Sequence, residues 1–197
     1  MPPRTVAIVE HRATWSAEFE AIAAQLREVL GSKALHIDHI GSTAVPSLAA
    51  KDIIDVQVTV HSLDASISGA FLAGGFTVHT EMIRQDHLPP GFEPRDQDWT
   101  KLFFMQRPGA RRCNIHVRQF GRPNQRYPLL VRDFLRAEAR IAEAYGELKK
   151  RLAVALADPE SYPEVRDPVA DIIYLAAERW ALATEWRQAD ATSSIPN

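Results

Sequence analysis

The chain is 197 residues long, 46% hydrophobic and 24% charged, with a formal net charge of −2. That is the make-up of one globular domain large enough to bury a core, and the near-neutral balance argues against a nucleic-acid or membrane partner. The single cysteine, Cys113, rules out an intrachain disulfide and a thiolate zinc cluster, and because no apolar run follows Met1-Pro2-Pro3-Arg4, a cytoplasmic location is expected.

Residues 1–9 read as an extended lead-in, with Val6, Ile8 and Val9 available to dock on the body. From Thr14 the apolar spacing turns helical through Trp15, Phe19, Ile22, Leu26, Val29 and Leu30, and Gly31 ends the run. Residues 35–40 predict a short strand and residues 53–60 a stronger one. In the second, Ile54, Val56, Val58 and Val60 share one face, so Ile53, Asp55, Gln57 and Thr59 share the other. A helix is predicted over 62–73, stopped by Gly74-Gly75, and a strand over 76–79. Residues 84–100, rich in Pro, Asp and Gly, predict a long loop over the sheet. Strands follow at 101–106 and 112–120 around Pro108-Gly109. Cys113, Ile115 and Val117 then face the core, and Asn114, His116 and Arg118 the opposite side. Beyond Pro123 three apolar stripes predict helices: one through Tyr127, Leu130, Val131, Phe134 and Leu135, a second from Ile141 to Leu156, and a third that Asp167-Pro168 would open as N-cap and N1. The expected organisation is an α/β core over 1–122, a helical segment over 123–187 packed on it, and a polar, disordered tail over 188–197.

His39-Ile40-Gly41-Ser42 carries the strongest chemical signal: a strand running into a Gly-Ser turn, followed by Asp55 on the polar face of the next strand. Glycine admits close approach of backbone to phosphate, the serine hydroxyl and nearby N–H groups bind it, and the acid holds Mg²⁺. A Gly-Ser dipeptide alone is also a plain turn. Asp55 reads equally as half of a salt bridge to Lys51 or an arginine. His116 is either a satisfied structural histidine or, with Asn114 and Arg118 beside it, part of a polar site; His39 reads as an exposed strand residue or a neighbour of the turn. Arg132 and Arg136, spaced i and i+4, and Lys149 on the next helix are either a solvated basic face or a set of cations opposite the turn that would bind triphosphate.

Taken together, His39-Ile40-Gly41-Ser42-Thr43-Ala44-Val45-Pro46, the run Leu48 to Asp55, Asn114-Ile115-His116-Val117, Val131 to Arg136 and Tyr145-Gly146-Glu147-Leu148-Lys149 resemble the GrpB family, whose members are also found fused to dephospho-CoA kinase. The resemblance implies a mixed α/β fold of nucleotidyltransferase type with a C-terminal helical part. With that fold, the site residues themselves read as an enzyme that binds Mg-NTP, ATP among the candidates, and transfers a nucleotidyl group to a small-molecule acceptor. Asp55 would hold the metal and His116 would act as base or orienting group. Gly41, Ser42, Arg132, Arg136 and Lys149 would take the nucleotide, and His39, Gln57, Asn114 and Arg118 would orient substrate. Gln57 stands where the wider nucleotidyltransferase pattern places a second acid, and His116 where it places a third, so Mg²⁺ would be weakly held and a two-metal mechanism is disfavoured. The alternative is a nucleotide- or metabolite-binding module of the same fold without catalysis.

Overall fold

Trp15, Phe19, Ile22, Ala23, Leu26 and Leu30 fall on one side of helix α1, Thr14–Leu30, and all are buried. In the computed structural model, which describes residues 6–83, 87–156 and 158–188, this stripe covers one face of a five-stranded sheet. The strands are β1 (Ala34–Ile40), β2 (Ile54–Val60), β3 (Thr77–Ile83), β4 (Lys101–Met105) and β5 (Cys113–Gln119), in the order β1-β2-β5-β4-β3. β2 and β5 run parallel and every other neighbouring pair is antiparallel. Helix α2, Ala65–Ala73, joins α1 on that face, and Ile54, Val56, Val58, Ile115 and Val117 fill the space between them. Each such fully buried aliphatic side chain contributes about 1.5–3 kcal/mol.

The other face of β2 is buried as well: Gln57 and Thr59 are both at 0% exposure. β2 is a central strand, and helix α4, Pro123–Ala137, lies over it, with the Gln57 side-chain amide donating to the Gln125 carbonyl at 2.9 Å. Helices α5 (Ala139–Ala155) and α6 (Tyr162–Thr184) complete this layer. Their apolar faces close on Val45 and Leu48 from the connector between β1 and β2. No helix among the described residues is long and apolar enough to cross a membrane.

The elements follow the predicted order, with four differences. α2 begins at Ala65 because Asp64 is the N-cap, accepting from the Ser66 N–H at 2.8 Å. β3 runs on to Ile83 through its pairing with β4. The described part of the long loop lies against the C-terminal helices, with Phe92 on Trp99 and Tyr174 and His87 on Asp171; Asp96–Trp99 forms a short helix α3, and residues 84–86 are outside the described part. α6 starts at Tyr162, so Pro168 lies inside the helix and Asp167 is not its cap. The reason is a second Asp-Pro pair upstream. Asp158 accepts from the Glu160 N–H at 3.0 Å and Pro159 opens a 3₁₀ turn that runs directly into α6. The interior proline costs about 3 kcal/mol, which the burial of Tyr162, Ile173 and Tyr174 offsets. In the lead-in, Val9 exchanges two 2.9 Å backbone hydrogen bonds with Ala50; residues 1–5 and the predicted tail from 189 onward lie outside the described residues.

Candidate functional site

β1 ends at Ile40, whose partner across the ladder is Asp55. The next residue therefore passes directly over the Asp55 carboxylate. Gly41 makes this possible: its φ of 70° and ψ of −170° belong to a region open essentially to glycine alone. A Cβ built there would stand 2.5 Å from Asp55 Oδ2. Ser42–Ala44 then forms a single 3₁₀ turn.

The arginines expected to face phosphate instead hold this turn by its carbonyls. Arg132 donates to His39 O at 3.1 Å and, through Nε, to Asp133 at 2.7 Å; Arg136 Nε donates to Ala44 O at 2.9 Å. Arg132 still borders the cleft that opens here, but Arg136 does not. Lys149 is the cation that reaches a side chain of the turn: its Nζ donates to Ser42 Oγ at 2.8 Å. His39 neighbours the turn but does not line the cleft. It pairs with Val56, not Asp55, so it points to the α1 side, stacked on Phe19 at 4.7 Å and 3.0 Å from Thr43 Oγ1.

On the cleft side, the parallel register sets Asp55 beside Asn114 and Gln57 beside His116. Asn114 Nδ2 donates to Asp55 Oδ1 at 2.9 Å, and His116 Nε2 lies 3.9 Å from the same oxygen. Asp55, Asn114, His116, Arg118, Gly41 and Ser42 all line one cleft of about 430 Å³. Gln57 does not. It is buried beneath, its oxygen accepting from Arg118 at 2.9 Å while its amide serves Gln125. Its carbonyl is committed and cannot stand in for a second acid. Asp52, next to the motif, points away and is held by Arg111, Arg12 and Trp15.

Several lining groups are not among the expected site residues. Ile8 from the lead-in, Tyr145 from α5, and Tyr162 and Arg166 from α6 reach the same cleft, and so does Lys51, which the sequence suggests only as an ion-pair partner of Asp55. Instead the Lys51 ammonium sits 4.5 Å over the ring of Tyr162 and that of Lys149 4.7 Å over the ring of Tyr145. Burial, reinforced by Arg166, brings the Lys149 ammonium down to about 7.

Among the described residues no cluster of three or more His, Cys, Asp or Glu could hold a metal ion. A magnesium ion held by protein alone does not fit. One carried in on phosphates fits, because Mg²⁺ needs only one or two carboxylates besides phosphate oxygens and water, and Asp55 is part-exposed at the cleft floor.

Burial also lowers both His39, with Arg136 adding to the effect, and His116, against the opposing pull of Asp55, to about 4. Their unfolded value is 6.5, so below it the unfolded chain takes up protons that the fold refuses. Stability is therefore expected to be level just above pH 6.5 and to fall as pH drops toward 4, by at most about 1.4 kcal/mol per unit for each histidine. Urea midpoints between pH 5 and 7 would check this. Equal midpoints would contradict it, and His39→Gln should remove about half the slope.

The profile of the family described as GrpB protein matches residues 5–175. Dephospho-CoA kinase of Mycobacterium tuberculosis (strain H37Rv) is 35% identical over 189 residues, covering 88% of this chain and 46% of that protein. The chain thus spans about half the length of the first curated relatives it matches. The crystal structure of conserved protein GrpB from Enterococcus faecalis superposes with a TM-score of 0.70 at 29% identity, over 88% of this chain and 99% of the other. The Cid1 poly(U) polymerase superposes more loosely, with a TM-score of 0.47 at 15% identity over 72% of this chain and 41% of the other, too low to bear on chemistry.

Proposed function

The chain belongs to the GrpB family, and from that premise and the geometry of the cleft we propose that it binds a magnesium nucleoside triphosphate and transfers a nucleotidyl group to a small-molecule acceptor. The observation that carries the reading is the contact of Lys149 Nζ with Ser42 Oγ at 2.8 Å, beside a glycine packed on Asp55. A hydroxyl, an ammonium and a carboxylate then converge where a chelated triphosphate has its complements.

In the reaction, a lone pair on the acceptor oxygen or nitrogen forms a bond to the α-phosphorus as the bond to the bridging oxygen breaks. Pyrophosphate leaves with that electron pair, and the acceptor's proton passes to a phosphate oxygen or to water. Mg²⁺, when bound, neutralises phosphate charge. Ser42 and Lys149 hold the leaving phosphates, and the Lys149 ammonium stabilises charge that grows on them. At neutral pH buried His116 is an uncharged imidazole and a weaker base than a free one. It is better suited to orienting the acceptor's hydroxyl than to removing its proton.

The runner-up, a binding module without catalysis, is favoured by Gln57, whose oxygen is already bound and buried. Incubation with Mg-ATP and a metabolite pool separates the two. Acceptor-dependent pyrophosphate release supports the enzyme; tight Mg-ATP binding without release supports the module.

The individual cations give a sharper check. Lys149→Ala is expected to weaken ATP binding tenfold or more (about 1.5–3 kcal/mol for a hydrogen bond to a charged group), and the loss should persist at high salt. Arg136→Ala, outside the cleft lining, should cost less and lose its effect as salt screens it. Equal, salt-sensitive losses in calorimetric titrations would reduce Lys149 to a solvated charge.

A further inference from the structure

Tyr162 is 2% exposed, lines the cleft, and its hydroxyl has no hydrogen-bond partner. A buried orphan hydroxyl costs about 1–3 kcal/mol, which implies a missing partner. The same is true of its neighbour on α6: Arg166 Nε is buried and unpaired, although Nη2 reaches Asp167 at 2.6 Å. Lys51 is held 4.5 Å over the Tyr162 ring, and Lys149 borders the same space from α5. Lys51 and Lys149 each feel the charge of Arg166. Asp55 and Glu160 offset part of this positive field at the lysines, and Asp167 at Arg166, without meeting the orphan atoms.

The lining is thus donor-rich. It offers a hydroxyl, a guanidinium N–H and two lysine amines, against the one carboxylate of Asp55 on the cleft floor. The complement is a group that only accepts, carries more than one negative charge and presents oxygens in several directions. We propose that Lys51, Tyr162 and Arg166 form a seat for a terminal phosphate, beyond the Ser42–Lys149 contact and independent of metal. The proposal rests on the reading of the cleft as a polyphosphate site and adds the residues that hold its outer end. The phosphate could belong to a nucleotide tail or to a phosphomonoester acceptor; the chemistry of the seat is the same.

The test is calorimetric titration of the purified chain, in EDTA, with inorganic tripolyphosphate and separately with glycerol phosphate, for wild type, Tyr162→Phe and Arg166→Gln. Tyr162→Phe deletes only the orphan oxygen, so its melting temperature should stay level or rise. Its tripolyphosphate affinity should fall about tenfold, and that of Arg166→Gln at least as much. Glycerol phosphate binding as tightly as tripolyphosphate, with the same losses, assigns the seat to an acceptor's phosphomonoester; a preference for tripolyphosphate assigns it to the nucleotide tail. Wild-type affinity in the folded Tyr162→Phe variant, or no binding of either anion, overturns the proposal. Its fate is separable from that of the nucleotidyl reading. Mg-ATP binding that depends on Asp55 but ignores Tyr162→Phe would keep that reading and remove the seat; metal-free anion binding that Tyr162→Phe weakens, together with Mg-ATP binding that ignores Asp55→Asn, would do the reverse.

Discussion

Gly41→Ala is expected to destabilise the fold by about 2–5 kcal/mol, from backbone strain and from steric overlap together. The strain arises because φ 70° with ψ −170° is held at a position where alanine has no comfortable conformation. The overlap arises because the new methyl would meet Asp55 Oδ2 at 2.5 Å and its Cβ at 3.0 Å. The double variant Gly41→Ala/Asp55→Ala separates them. Removing the carboxylate relieves the collision and leaves the strain, so urea denaturation should show partial recovery and a coupling of about 0.5–3 kcal/mol. No recovery would mean that turn and carboxylate do not touch in solution; complete recovery would mean that the backbone is unstrained. Any folded Gly41→Ala protein should also bind nucleotide poorly, since Asp55 must rotate away to make room.

Asp55→Asn carries the second large effect, and its sign reverses with the metal. The asparagine fills the same volume and its oxygen can still accept from Asn114 Nδ2, as the carboxylate does at 2.9 Å, so the fold should persist. With Mg²⁺ present, ATP affinity should fall by tenfold or more, because a neutral amide oxygen is a poor ligand for a hard cation. In EDTA the affinity should be unchanged or better than wild type, since a negative charge facing the phosphates has been removed. Calorimetry at matched ionic strength reads both arms. An unchanged gain from Mg²⁺ in the variant would remove Asp55 from any metal role.

Much of the site's frame was legible from residue order. Period-two alternation puts Asp55 on one side of β2 and Asn114, His116 and Arg118 on one side of β5, and the parallel register joins the two sets. Gly41 was legible as a glycine, though not its reason, which is a carboxylate on the next strand. Where long-range pairing or a competing local signal entered, the expectations shifted. His39 lies on the face it does because its partner is Val56. Asp167-Pro168 carries a helix-start signal, but Asp158-Pro159 carries the same signal upstream and the helix follows from there. Gln57 looked available until α4 and Arg118 took both ends of its amide.

The sequence by itself determined the element order, the polar face shared by Asp55 and His116, and the Gly-Ser turn between β1 and β2, because each depends on steric rules acting over a few neighbouring residues. Only the tertiary structure decided which cations meet the turn and how. Arg132 and Arg136 each donate to a carbonyl at its ends, Lys149 reaches Ser42, and Tyr162 and Arg166 line the cleft beside Lys51 with an unpaired hydroxyl and Nε. These contacts join residues far apart in the chain, and they follow from how α4, α5 and α6 dock on the sheet, which helical periodicity fixes as a buried face but not as a direction of approach.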